Sequence, residues 1–180
     1  MSSREYFALT FICDDRPGIV MEVSKVLYES KFNIEDSSST LLMGVFSMIL
    51  IVSVENGYTP LKVKKSFAHL INRFNMSISV RKLKTLKRVP QKETFIISIY
   101  GADHPGIVYN ITKALAEREI NIIDLQTKVT GNIDTPVYVM VLEVVLPEGG
   151  IDNMWQEHLK DTARKIGTDI NIRQVESYEL

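Results

Sequence analysis

A long internal repeat constrains this chain more than any other feature. A six-residue segment returns 88 residues later with one substitution, first as Asp15-Arg16-Pro17-Gly18-Ile19-Val20 and then as Asp103-His104-Pro105-Gly106-Ile107-Val108. Between residues 15–36 and 103–124, 11 of 22 positions are identical without a gap. A period of this length is the size of a small domain, unlike the ~20–50-residue unit of solenoids and propellers. The 180-residue chain is therefore predicted to be a tandem duplication.

The repeat sets the expected domain boundaries. We predict a first domain over residues 1–86, a linker over 87–92 and a second domain over 93–180. Domains of this size leave much of their surface exposed. The two domains are therefore expected to pack on each other or on a second chain.

The composition predicts an ordinary globular protein of the cytoplasm. Hydrophobic residues make up 45% of the chain and charged residues 24%, and the mean hydropathy is +0.02. The longest apolar run, residues 48–52, has the length of a strand, so no membrane association is expected. The start of the chain lacks the basic-then-apolar pattern of a signal peptide, and the single Cys13 cannot form an intrachain disulfide.

The net charge of −1 conceals opposite charges in the two halves. Residues 1–90 carry a net charge of +5 and residues 91–180 carry −6, which favours association of oppositely charged surfaces. Much of the positive excess surrounds the linker, at Arg81, Lys82, Lys84, Lys87, Arg88 and Lys92. Nucleic-acid binding needs clustered cations, but no aromatic stacking residues interleave this run. We interpret it as a solvated linker and do not expect direct nucleic-acid binding.

Apolar periodicity predicts the first two elements of each copy. Phe7, Leu9 and Phe11 alternate with other residues, as do Phe95, Ile97 and Ile99, which predicts a strand with one buried face. After the Pro-Gly loop, apolar residues recur at the spacing of one helix face. They are Ile19, Val20, Val23, Val26 and Leu27 in the first copy, and Ile107, Val108, Ile111, Ala114 and Leu115 in the second.

The remaining patterns predict a hairpin, a second helix and a closing strand. The hairpins are expected over 33–43 and 45–54 and over 121–130 and 137–145, with turns at Gly44 and at Gly131-Asn132. Thr59-Pro60 predicts the start of the second helix. Its apolar stripes are Val63, Phe67, Leu70, Ile71 and Phe74 in one copy, and Ile151, Met154, Trp155, Leu159, Thr162 and Ile166 in the other. The last strands are expected at 78–81 and 170–173.

The order strand–helix–strand–strand–helix–strand, repeated twice, defines the expected fold. It predicts an α+β protein of two ferredoxin-like βαββαβ domains. Each domain is expected to have a four-stranded antiparallel sheet with both helices on one face.

This plan resembles the ACT domain family. The shared features are Asp-x-Pro-Gly-Ile-Val at the start of the first helix and Asn-Ile at the start of the second strand. ACT domains are small regulatory modules that bind amino acids and similar ligands at domain interfaces. Two copies over 180 residues with no enzyme attached resemble the tandem-ACT proteins of the glycine cleavage system transcriptional repressor family.

The repeated loop has the chemistry of a site for an amino acid. Helix amides exposed beside Gly18 and Gly106 favour a carboxylate, and Asp15 and Asp103 favour an ammonium group. The asparagines Asn33 and Asn121 can donate and accept hydrogen bonds. The resemblance implies a ligand site in each copy, formed by Asp15, Arg16, Pro17, Gly18, Ile19 and Asn33, and by Asp103, His104, Pro105, Gly106, Ile107 and Asn121. Some ACT domains have a ligand-binding His where this chain has Cys13 and Gly101.

Structural interpretations of the same residues stay open. Asp15 and Asp103 are equally suited to cap a helix, and the asparagines to a turn at a helix end. Gly18 and Gly106 can serve helix–strand packing alone. His104, which replaces Arg16, is either a polar loop residue or a group whose charge responds to pH or ligand.

No motif in the chain predicts catalysis. Nucleophile-elbow, phosphate-loop, CxxC and HExxH patterns are missing, and Cys13 with His104 is the one conceivable nucleophile–base pair. We therefore expect no enzymatic activity, no metal and no cofactor.

The sequence predicts a non-enzymatic amino-acid sensor. Its output would be a changed interface with a regulatory partner protein, and glycine or serine is the ligand suggested by the resemblance. The chain is expected to form a homodimer. The alternative is an interaction module that has kept the fold and does not bind a ligand.

Overall fold

A computed structural model describes residues 4–86, 93–132, 135–152 and 154–175. The chain divides into two compact units, Met1–Arg88 and Val89–Leu180. The predicted linker, residues 87–92, lies outside the described residues.

The first unit is a four-stranded antiparallel sheet with three helices. Its elements are β1 (Arg4–Asp14), α1 (Ile19–Glu29), β2 (Asn33–Leu42), β3 (Val45–Glu55), α2 (Pro60–Ser66), α3 (Ala68–Phe74) and β4 (Ser77–Leu83). The strand order is β2-β3-β1-β4, and all pairs are antiparallel.

The second unit repeats this topology. Its elements are β5 (Thr94–Ala102), α4 (Ile107–Ala116), β6 (Asn121–Asn132), β7 (Thr135–Val145), α5 (Met154–Lys165) and β8 (Thr168–Gln174). The strand order is β6-β7-β5-β8. The predicted α+β architecture of two ferredoxin-like units is confirmed.

One face of each sheet packs against the helices and forms a separate core. The alternation predicted for β1 is confirmed, because Phe7, Leu9 and Phe11 are all fully buried. Phe11 meets Phe67 edge to face, with ring centroids 5.2 Å apart. In the second unit, buried side chains of β5 and α4 surround Trp155, which makes the same kind of contact with Phe95.

The helices differ from the expected stripes in three respects. Val20 and Val108 are exposed, because the buried face of each first helix begins at the preceding isoleucine and continues three or four residues later. The second helix of the first unit is divided into α2 and α3 at Phe67, where φ is −97° and ψ is 7°. In α5, Met154 is exposed, and Ala163 is buried beside the predicted Trp155 and Leu159.

One of the two predicted hairpin turns lies where the sequence places it, and the other does not. Met43 and Gly44 both have positive φ, 49° and 86°, and connect the paired residues Leu42 and Val45. This is the conformation that a two-residue hairpin requires, and it confirms the turn at Gly44. The turn predicted at Gly131-Asn132 is wrong, because both residues lie within β6 and pair with β7.

The second strand of each unit contains a β-bulge at the same position. The register with the neighbouring strand shifts between Ile34 and Asp36, and again between Ile122 and Asp124. Glu35 and Ile123 are the extra residues. A bulge of this kind re-aims one side chain without ending the strand.

A close approach of β5 and β8 explains one glycine. Gly101 pairs with Thr168, and a Cβ added to Gly101 would lie 2.8 Å from Thr168 Cγ2 and 3.2 Å from the Gly167 carbonyl oxygen. Gly101 is therefore a packing residue. The equivalent residue of the first unit, Cys13, is buried in the core.

Gly101→Ala is predicted to lower the free energy of unfolding by about 1–3 kcal/mol, the usual cost of overpacking. Adding Thr168→Ser should restore part of that loss, because serine lacks the colliding methyl group and keeps the hydroxyl that donates to the Ala163 carbonyl. Urea unfolding of the single and double variants measures the coupling. Additive effects of the two substitutions would contradict the proposed contact.

Candidate functional site

The two Pro-Gly loops have the same backbone geometry. Gly18 and Gly106 occupy the N-cap positions of α1 and α4, with φ of 95° and 101°. This left-handed conformation strongly favours glycine. Neither helix has a side-chain hydrogen bond at its N-cap, so the interpretation of Asp15 and Asp103 as helix caps is wrong.

A shallow depression lies beside the first loop. It has a volume of about 460 Å³ and is lined by Asp15, Arg16, Gly18, Ile19, Val20, Met21 and Phe46. A Cβ at Gly18 would meet nothing within 4 Å. The loop therefore presents helix-start amides, which favour anionic groups, next to one carboxylate and one guanidinium.

The first loop is tied to the neighbouring hairpin. The Asp15 backbone N–H donates to the Gly44 carbonyl oxygen at 3.0 Å. This hydrogen bond joins the start of the loop to the turn between β2 and β3. Movement of either segment therefore affects the other.

The second loop has contacts of its own, through His104. Its Nδ1 lies 3.1 Å from the Pro105 carbonyl oxygen, and its Nε2 lies 2.9 Å from the Ile166 carbonyl oxygen, just beyond the end of α5. Two carbonyl acceptors require two donors, which only the protonated imidazole supplies. These backbone hydrogen bonds raise the pKa of His104. The equivalent residue Arg16 is exposed.

The first turns of the two helices also differ in charge. In α1, the Glu22 carboxylate pairs with Arg73 at 2.6 Å. In α4, the equivalent residue is Asn110, whose side chain donates to the Gly106 carbonyl oxygen at 2.8 Å. The repeated loop motif is thus embedded in two different polar environments.

The asparagines begin strands and do not form helix-end turns. Asn33 is the first residue of β2 and Asn121 the first of β6. The left-handed residues at the helix ends are Lys31 and Glu119, with φ of 60° and 57°. The interpretation of the asparagines as turn residues is therefore wrong.

Within one unit, the loop and the asparagine lie at opposite ends of the sheet. Asn33 pairs with Ser53, which pairs with Tyr6 near the start of β1, whereas the loop follows Asp14 at the end of β1. Eight strand residues separate these points by about 26 Å. A single unit therefore does not bring the predicted site residues together. A site that combines them needs two units, from one chain or from two.

The position of Cys13 does not suit a nucleophile. The side chain is buried in the first core, and burial raises the pKa of the thiol above its usual range, with Asp14 and Asp15 adding to the effect. Reactive cysteines need the opposite shift, toward the thiolate.

A further cavity of the first unit lies away from its Pro-Gly loop. Its volume is about 640 Å³, and it is lined by Arg4, Glu5, Tyr6, Asn56, Lys82, Leu83, Lys84, Thr85 and Leu86. Lys82 pairs with Glu5 at 2.5 Å, which also holds the pKa of that carboxyl below its usual value. Lys82 and Lys84 belong to the basic run near the linker, which we interpret from the sequence as solvated. Nothing in the sequence indicates that they line a cavity with residues of β1.

The sequence of both units matches a known family of protein domains. The sequence profile of the ACT domain matches residues 5–81 and 93–142. The chain belongs to the ACT domain family, as the resemblance predicted, and carries two such domains.

Similar proteins extend over one or both units. A UPF0237 protein of Pyrobaculum aerophilum is 26% identical over 88 residues, which are 48% of this chain and 93% of that protein. The glycine cleavage system transcriptional repressor of Escherichia coli is 24% identical over 129 residues, which are 71% of this chain and 67% of the repressor.

Solved structures share the fold across almost the whole chain. A Galdieria sulphuraria protein of unknown function has a TM-score of 0.81 and 24% identity, over 97% of this chain and 100% of that one. A structure assigned as a glycine cleavage system transcriptional repressor has a TM-score of 0.75 and 17% identity, over 98% and 100%.

His104→Gln is predicted to destabilise the protein more in acid than in alkali. Because the folded state raises the pKa of His104, the stabilisation is complete below its unfolded value of about 6.5 and is lost as pH rises through the folded value. The difference in melting temperature between wild type and variant should be larger at pH of about 5.5 than at about 8.5. Arg16→Gln is the matched control and should show no such dependence. An equal difference in melting temperature at both pH values would show that the hydrogen bonds of His104 to the two carbonyl oxygens do not require the protonated imidazole.

Proposed function

We propose that this protein is a non-enzymatic, amino-acid-binding regulator that controls a partner protein through a ligand-dependent interface. The proposed ligand is a small amino acid, glycine or serine. The similarity to a protein named a glycine cleavage system transcriptional repressor supports a regulatory partner in the transcriptional control of glycine metabolism. We place the protein in the cytoplasm. Among the described residues, no helix is long and apolar enough to cross a membrane.

One observation carries the proposal: the repeated, uncapped helix start on a left-handed glycine. Gly18 and Gly106 leave the first amides of α1 and α4 without a side-chain acceptor at the cap. An amino acid has a carboxylate for these donors and an ammonium group for the neighbouring Asp15 or Asp103. The asparagine of a second unit would complete the ligand's hydrogen bonds.

The loop–hairpin hydrogen bond offers a route from ligand to partner. Beyond Gly44, the hairpin tip exposes Leu41, Leu42 and Met43, with Met43 fully accessible. An exposed apolar group of this kind favours protein contacts. A ligand that orders the loop at Asp15 would bias the attached tip toward one arrangement, and so change its affinity for a partner.

The edges of the sheets support a homodimer. Every residue of β2 is exposed, and β2 and β6 are edge strands of their sheets. Unprotected edges favour pairing with another chain. A dimer would also supply the second unit that a combined site needs. An interaction module without a ligand remains the alternative, since the apolar hairpin tip fits it equally well.

A thermal-shift screen against the twenty amino acids tests the proposal. Glycine or serine should raise the melting temperature, because a ligand that binds only the folded state stabilises it by about 2.7 kcal/mol at 100 times its Kd. A screen in which no amino acid shifts the melting temperature would favour the interaction module.

The double variant Asn33→Ala, Asn121→Ala is the control for that screen. Both side chains are exposed, so the unliganded protein should lose only about 1 kcal/mol, the value of one surface hydrogen bond. The ligand-induced shift should disappear. Gly18→Val should instead lower the melting temperature without ligand, because valine does not adopt φ of 95° readily.

A further inference from the structure

The β-bulge at the start of the second strand presents different chemistry in the two units. In the first unit, the bulged residue is Glu35, two positions after Asn33. In the second unit, the same bulge carries Ile123, two positions after Asn121. The partner residues on the neighbouring strand also differ, since Asn33 pairs with Ser53 and Asn121 pairs with Val145.

In the first unit, the asparagine is already engaged. Its Nδ2 donates to Glu35 Oε1 at 3.0 Å, and the Ser53 hydroxyl donates to the same carboxylate oxygen at 2.5 Å. An Arg4 guanidinium nitrogen lies 4.0 Å from that oxygen. The hydrogen bonds from Ser53 and Asn33 also keep the pKa of Glu35 below its usual value, so the group is a carboxylate at neutral pH.

Removing Glu35 from this position would be costly. Ser53 is only 1% exposed, so its hydroxyl would lose its acceptor in a buried place. An amino acid that approached the Asn33 amide would in addition bring its carboxylate close to the negative charge of Glu35. Both effects oppose binding of an amino acid at this end of the first unit.

In the second unit, the asparagine is available. Across the described parts of the chain, the Asn121 side chain makes no hydrogen bond, and the residue is exposed. Ile123 and Val145 provide neither a competing carboxylate nor a hydroxyl to hold one. Ile123 is 48% exposed, so the same bulge adds apolar surface where the first unit has a charge.

We propose that the two asparagine ends are not equivalent: the Asn121 end binds the amino acid, and at the Asn33 end the Glu35 carboxylate occupies the amide that the ligand would use. The chain then binds one amino acid, next to the apolar Ile123 and away from the Glu35 charge. This inference rests on the proposed function, and deepens it by assigning the site and its specificity residue.

Isothermal titration calorimetry with glycine and with serine, each added to the full chain, tests the inference. Wild type should bind one molecule per chain. Asn121→Ala should abolish the binding heat, whereas Asn33→Ala should leave the stoichiometry unchanged and the Kd within about twofold, less than 1 kcal/mol. Circular dichroism confirms that each variant is folded.

Exchange of the bulge residues gives a test by gain of function. The variant Glu35→Ile, Ser53→Val gives the first unit the residues of the second, without leaving a buried hydroxyl unpaired. It should raise the stoichiometry to two. Ile123→Glu should weaken binding by about tenfold or more, or 1.4 kcal/mol.

The outcomes separate the two claims. Two molecules bound per wild-type chain, or loss of binding in Asn33→Ala alone, would overturn this inference and leave the proposed function intact. No binding heat from wild type with either amino acid would overturn both.

Discussion

The register of the central strands β1 and β5 determines which side chains fill each core and where the Pro-Gly loop and the asparagine lie along each sheet. In β1, Phe7, Leu9 and Phe11 fill the core, and a slip of one residue would turn all three to the other face of the sheet. With this register, α1 begins at one end of the sheet and ends at the other. The Pro-Gly loop and Asn33 are consequently held about 26 Å apart along the strands. Packing of the core thus keeps the repeated loop and the asparagine of one unit apart.

Much of the fold is predictable from the sequence, because its signals are local. Alternation in β1 and β5, the helix face after each Pro-Gly loop and the cap Thr59-Pro60 depend on residues within one turn or one strand. The Thr59 hydroxyl does accept from the Lys62 backbone N–H at 3.2 Å. The errors occur where tertiary context decides. Gly131-Asn132 has the composition of a turn, yet pairing with β7 continues through both residues.

The candidate site is less predictable, for a physical reason. Identical residues at 15 and 103 and at 33 and 121 suggest two equivalent sites. Their differences arise from partners that are distant in sequence, such as Ser53 for Glu35 and Ile166 for His104. Alternation along the strand places Glu35 on the face of Asn33, but only the pairing of β2 with β3 brings Ser53 opposite Asn33 and within reach of that carboxylate. The sequence shows the repeated groups, whereas their hydrogen-bond partners become apparent only in the folded sheet.

Separation of the loop from the asparagine also bears on why the domain is duplicated. A unit with its Pro-Gly loop at one end of the sheet and its asparagine at the other cannot place both against one small molecule. After duplication, each end is free to change independently. The Arg73 and Glu22 pair and the Glu35 network alter the first unit, while His104 bound to the end of α5 alters the second. In the first unit, the loop is also attached to the hairpin turn through Asp15 and Gly44. If the amino acid binds at Asn121 as proposed, the ligand site and the apolar hairpin tip attached to the first loop belong to different halves of one chain.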